Sequence, residues 1–160
     1  MQIPLDLSLI DTYNYVHRID MKKYLLFLAL IPLLYAQTGA RYLIIAYDDF
    51  YDAAQPLAEW KYRKGMKSKL VRLSDVGYSM NEIKNYIQNA YNTWDIKPEY
   101  LLLVGAPNLI PFPTVSGTYS DNFYTDVEGD FYNDILSGRM TVHNITEAAN
   151  VINKTLLYER

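Results

Sequence analysis

The 160-residue chain contains no cysteine. That excludes disulfides, thiolate metal sites and a cysteine nucleophile within these residues. Histidine is nearly as scarce, with His17 and His143 the only two. A chain so poor in thiol and imidazole has few groups for nucleophilic or metal chemistry at neutral pH. A basic excess is missing as well: the formal net charge is −3, which argues against a nucleic-acid surface. No GxGxxG or GxxxxGK[ST] follows any apolar run. Pro107 and Pro111 also thin out the backbone donors of the one loop rich enough in glycine and proline to be considered. The usual nucleotide folds are therefore excluded.

What is present supports a folded core. Half the residues are hydrophobic and 21% are charged, the balance of one ordinary globular domain or of a leader plus a smaller one. Sixteen tyrosines offer large contact area with one polar end, which suits a secreted or crowded surface without naming an activity.

Residues 21–40 read as a signal peptide. Met21-Lys22-Lys23 precedes the apolar run YLLFLALIPLLYA (Tyr24 to Ala36), and small residues follow. This is the order of basic, apolar and small segments that secretion signals use, and the run is short for a membrane span of about 20 residues. Cleavage after Ala36 or Ala40 is expected, with Thr38-x-Ala40 the better small-x-small match. Residues 1–20 precede the signal without a pattern of their own and read as a start-site extension, translation beginning at Met21. Residues 41–160 form the folded portion.

Within that portion, RYLIIAY (Arg41 to Tyr47) and YLLLVG (Tyr100 to Gly105) are continuous apolar runs expected as buried strands. SKLVRLSDV (Ser68 to Val76) is expected as another strand. DAAQPLAEWKYRKG (Asp52 to Gly65) has Ala54, Leu57 and Ala58 at helical spacing, Pro56 placed in the first turn and Gly65 as the stop. Ser79-Met80-Asn81-Glu82 is a capping box, and Ile83, Ile87, Ala90, Tyr91 and Trp94 then share a helical face. Asn144-Ile145-Thr146-Glu147 opens a last helix with Ile145, Ala148, Ala149, Ile152 and Leu156 on one side. Alternation of strand and helix with short connections predicts right-handed crossovers and a mostly parallel sheet in an α/β sandwich of three layers.

The block SDNFYTDVEGDFYNDILSGR (Ser120 to Arg139) sets five carboxylates among aromatics. Asp126-x-Glu128-x-Asp130 resembles the start of an EF-hand, but that loop needs Gly at its sixth place and Glu at its twelfth, where this chain has Phe131 and Ser137. A less regular structural calcium site using Asp121, Asp126 and Asp130 remains the metal expectation, against acids that cap turns around Gly129. Asp48-Asp49 at a strand exit resemble the acid pair of a phospho-receiver domain, yet no Asp closes the YLLLVG strand. The pair is expected to form a turn. His143, without a partner pattern, is expected at the surface or in a cap.

The order of these motifs resembles the gingipain-type cysteine endopeptidases. The resemblance is carried by RYLIIAYDDFYDAAQPLAEWKYRKGMKSKLVRLSDVG, IKNYIQNAYNTWDIKPEYLLLVGAPNLIP, SDNFYTDVEGDFYNDILSGRM and a closing LLYER, and it spans Arg41 to Arg160. It implies a caspase-like fold, incomplete in this chain, in a secreted or cell-surface peptidase acting on protein or peptide substrates. In that family a His after a Gly-rich stretch activates a Cys nucleophile and backbone N–H groups hold the oxyanion. Both residues, and the acids that assist them, lie downstream of the matched segment. No catalytic or cofactor-binding residue carries over to a position here, and no cofactor is required. Ala106 stands where the family commonly has an acid that helps hold a structural ion. The expectation is the N-terminal part of a peptidase domain, inactive by itself. The alternative is a peptidase-like binding module at the cell surface. A partial sheet also predicts self-association, through an exposed edge strand and an uncovered apolar face.

Overall fold

In the computed structural model, which describes residues 37–115 and 117–159, four strands run parallel in the order β2–β1–β3–β6. They are β1 Tyr42–Ala46, β2 Ser68–Arg72, β3 Tyr100–Val104 and β6 Leu136–Met140. The expected signal peptide up to Ala36 and the extension at residues 1–20 lie outside the described residues. Registers are in phase, with Ile45 opposite both Val71 and Leu103, and Leu103 opposite Arg139.

Strand pleating sorts the core into two layers. Leu43, Ile45, Leu101 and Leu103 face one way, and Ile44, Ala46, Leu102 and Val104 face the other. The first set packs on α3 (Met80–Thr93) through Ile83 and Ile87, with Tyr124 from the one-turn helix α4 (Asn122–Thr125) beside them. The second set packs on α1 (Tyr51–Arg63) through Ala54 and Leu57, and on α5 (Ile145–Glu159) through Ala148, Ile152 and Leu156. Each fully buried aliphatic side chain here contributes about 1.5–3 kcal/mol. Helices thus cover both faces over β1 and β3, and the uncovered face expected of a partial sheet is confined to β6, where Leu136, Ser137 and Gly138 are exposed. The edge at β6 does occur, with Leu136 at 63% exposure.

Local signals explain most boundaries. The Ser79 hydroxyl accepts from the Glu82 amide while the Glu82 carboxylate accepts from the Ser79 amide, so the expected capping box is complete. Just before it, Gly77 turns at φ 118°, and an added Cβ would lie 2.4 Å from Glu82 Cβ; only glycine fits that turn. Gly65 ends α1 at φ 85°, as a left-handed stop should.

Four expectations are corrected. α1 begins at Tyr51, behind a 3-10 turn Asp48–Phe50 anchored by buried Phe50, so Pro56 sits in the second turn and not the first. The strand expected over Ser68–Val76 stops at Arg72, and Leu73–Val76 is a one-turn helix, α2, with Leu73 fully buried. Leu136–Met140 is a strand although its LSGRM sequence lacks β-branched residues and alternation. A small antiparallel pair, β4 Thr114–Val115 and β5 Thr118–Tyr119, was not legible either.

Candidate functional site

β2 lies on one side of β1 and β3 on the other, so the strand order reverses between the carboxyl ends of β1 and β3. Open α/β sheets place their sites outside that edge, at such a reversal. The loops leaving β1, β3 and β6 are laced together there. Tyr47 donates its amide to Val104 O at 3.0 Å, Gly105 to Met140 O at 3.0 Å and Ala106 to Val142 O at 2.9 Å. A cleft of about 530 Å³ opens between them, lined by Tyr47, Asp49, Phe50, Leu109, His143 and Asn144, among others.

The loop after β3 holds itself only in part, the amides of Leu109 and Ile110 donating to Ala106 O. Pro107, Pro111 and Pro113 have no N–H, so carbonyls of this stretch must find donors elsewhere. Arg139 on β6 supplies them. Its Nη1 donates to Gly105 O at 3.1 Å and Ile110 O at 2.9 Å, and Nη2 to Pro111 O at 3.3 Å. Nε and Nη2 grip Asp121 bidentately at 2.9 and 2.7 Å. Every nitrogen of the guanidinium is engaged, and Phe112 stacks on it 4.8 Å from the ring centroid. The pair is buried, with side-chain exposures of 6% for Arg139 and 12% for Asp121. Tyr124 adds a further tie, its hydroxyl donating to Pro111 O at 2.8 Å. Burial pushes that phenol well above its ordinary value, with Arg139 opposing and Asp121 reinforcing the shift; it stays a neutral donor.

The acids of the block are therefore distributed among separate tasks. Asp121 neutralises Arg139. Asp126 accepts from the amides of Gly129 at 2.7 Å, Asp130 at 3.1 Å and Phe131 at 3.3 Å, and Asp130 accepts from Tyr132 at 3.0 Å. Asp134 accepts from Val127 at 2.7 Å and Glu128 at 3.1 Å. The three calcium candidates are not brought together: Asp121 is turned to Arg139, while Asp126 and Asp130 serve one turn around Gly129. Among the described residues no group of three or more His, Asp or Glu side chains has the arrangement to hold a metal ion. The aromatics divide too. Tyr124 is fully buried, but Phe131 and Tyr132 are 82% and 77% exposed. Sequence reasoning passed over Arg139; the signal was its position as the first cation after five acids.

Asp48 does form a turn but also reaches beyond it. Its carboxylate accepts from the Ser74 amide at 3.3 Å and the Tyr78 hydroxyl at 3.0 Å, and from the Ser74 hydroxyl. Burial would raise this carboxyl; the hydrogen bonds from Ser74 and Tyr78 outweigh it and hold it below its ordinary value of 3.8. His143 is exposed and belongs to the α5 cap. Its amide donates to Glu147 Oε2 at 2.8 Å, Glu147 donates its amide to Asn144 Oδ1 at 2.9 Å, and His143 Nδ1 lies 3.4 Å from Glu147 Oε2.

This geometry is that of a layered, parallel α/β framework with its loops braced at the carboxyl edge. The model of peptidase family C25 matches residues 35–160, and the chain belongs to that family. Lys-gingipain of Porphyromonas gingivalis is 30% identical over 130 residues, covering 77% of this chain and 8% of that protein. Gingipain R2 of the same organism is 25% identical over 125 residues, covering 76% and 17%. The solved complex of Porphyromonas gingivalis RgpB pro- and mature domains shares the fold with a TM-score of 0.71 at 24% identity, covering 75% of this chain and 29% of the neighbour's. The chain thus spans less than a third of each of these relatives. The matched segment is the N-terminal part of a gingipain-type peptidase domain with the caspase-like fold, as the sequence motifs implied.

Proposed function

We propose that this chain is the N-terminal framework of a secreted, gingipain-like cysteine endopeptidase and performs no proteolysis by itself. The observation that carries the reading is the family match across residues 35–160 in a chain without cysteine. A thiol protease attacks with a thiolate, and the single described histidine is committed to a helix cap. In this reading the braced carboxyl edge is a rigid wall against which the portion of a peptidase domain bearing Cys and His is seated. Protein or peptide substrates belong to that whole enzyme.

Secretion is read from the Met21–Ala36 pattern. The contacts of Thr38 and Ala40 support cleavage after Ala36 over cleavage after Ala40. Thr38 donates both its amide and its hydroxyl to Asp95, at 2.8 and 2.9 Å, and Ala40 is fully buried. No helix among the described residues is long and apolar enough to cross a membrane. Self-association of the chain is part of the same reading.

The test is an assay of the purified full chain on a mixed peptide library with and without a thiol alkylating agent. No hydrolysis is expected in either arm. Cleavage that the alkylating agent abolishes in a verified, uncontaminated sample would overturn the proposal.

A further inference from the structure

Charge is segregated onto the two edges of the sheet. Residues 61–69 (KYRKGMKSK) carry five cations and no acid, and residues 121–134 (DNFYTDVEGDFYND) carry five acids and no cation; of these, Lys61 is paired with Glu159 and Asp121 with Arg139. The first segment runs into β2 and the second approaches β6, the opposite edge strands. Three strand spacings, about 14 Å of sheet, separate those strands, so the two segments flank opposite sides of the unit.

Each segment also presents apolar surface. The acidic one displays Phe131 and Tyr132 at 82% and 77% exposure. The Asp126 and Asp130 carboxylates hold the backbone amides of both residues in place, so little backbone ordering entropy is lost when the turn is covered. The basic one borders a hollow of about 380 Å³ lined by Ala58, Glu59, Tyr62, Arg63 and Ser68. Tyr62 is 63% exposed. Arg63 and Lys64 lie over the Trp60 ring at 5.6 and 4.7 Å, and Glu59 is the one carboxylate at the rim. An aromatic pair flanked by acids fits a tyrosine-lined hollow flanked by cations.

We propose that the Phe131–Tyr132 turn of one copy docks into the Ala58–Tyr62–Arg63 hollow of a second copy of this chain. The inference rests on the self-association reading above and names its surface. Because the two patches flank opposite sides of the unit, one pair of chains cannot make both contacts at once, so the contact is head-to-tail and association continues beyond a dimer until it closes into a ring or extends as a filament. Charge steers the encounter and the rings supply the contact energy.

The experiment is sedimentation velocity on the full chain, with circular dichroism to verify folding. Wild type is expected to associate at low salt and to weaken about tenfold or more between about 50 and about 500 mM salt. Phe131→Gly suits the left-handed backbone at that position and keeps the fold; it is expected to weaken association about tenfold or more. Asp130→Lys and Arg63→Glu are each expected to reduce association when alone, and their equimolar mixture to restore it. A monomer under all conditions overturns both this inference and self-association itself. Association indifferent to salt and to the three substitutions, as through the apolar Tyr24–Ala36 stretch or the β6 backbone, overturns only the surface named here. Failure of the mixture to recover also overturns it.

Discussion

Replacing Arg139 by Met is expected to be among the most damaging single changes in the described fold. The guanidinium sits in a nearly dry position, at 6% exposure, against a carboxylate at 12%. Met keeps much of the volume but leaves Asp121 buried without its cation, takes a donor from the carbonyls of Gly105 and Ile110, and leaves Pro111 O with the Tyr124 hydroxyl alone. Breaking a buried ion pair by removing one partner costs about 3–5 kcal/mol, and the carbonyls fall partly within that figure because the losses are coupled. For a unit of about 120 residues, that corresponds to a melting temperature lower by roughly 12–20 °C. The double variant Asp121→Leu with Arg139→Met separates the two contributions. It removes the orphaned charge and should recover part of the loss, leaving about 1–3 kcal/mol for the undersupplied carbonyls. Urea unfolding followed by circular dichroism measures all three proteins. A cost below about 1 kcal/mol for the single variant, or a double variant worse than the single, would refute the bracing role assigned to this side chain.

Other consequences are smaller. Asp48 titrates below its ordinary value in the folded chain, so its contribution is present above about pH 4 and is lost as pH falls through the depressed value. Thermal melts between about pH 5 and about pH 2.5 should show wild type losing stability toward acid, and Asp48→Asn a flatter profile. An unchanged slope in the variant would contradict the hydrogen-bond account. Ser79→Ala removes one half of the capping box of α3 and should cost about 0.5–2 kcal/mol in the same urea experiment. Phe131 holds φ at 71°, where a non-glycine residue is strained by about 1–2 kcal/mol. Phe131→Gly should therefore leave stability equal or higher, and a clear fall in melting temperature would show that the exposed ring has an intramolecular partner.

The acids and rings of the 120–139 block do not act as one unit, because partner choice there is settled across the chain. Asp121 and Arg139 are 18 residues apart, and nothing local indicates that they meet. They meet because β6 aligns with β3 in parallel, Leu103 opposite Arg139, which carries the guanidinium to the carbonyls of the proline-rich loop. The strand itself was hidden for the same reason. LSGRM has weak intrinsic preference, and hydrogen bonding to β3 confers its conformation.

Periodicity, caps and apolar runs sufficed, from residue order alone, to define the alternation of strand and helix. Ile83, Ile87 and Ala90 had to share a helical face, and Tyr100–Val104 had to be deep in the sheet, because burial of apolar side chains follows local geometry with fixed repeats. The family resemblance and the missing thiol were legible in the same way. Tertiary structure alone decided which acid answers which cation, that Leu136–Met140 joins the sheet as an edge strand, and that Phe131 and Tyr132 point to solvent while Tyr124 does not. Those outcomes depend on contacts between distant segments, and charge and aromaticity, unlike helical or strand repeats, carry no record of the partner they will find.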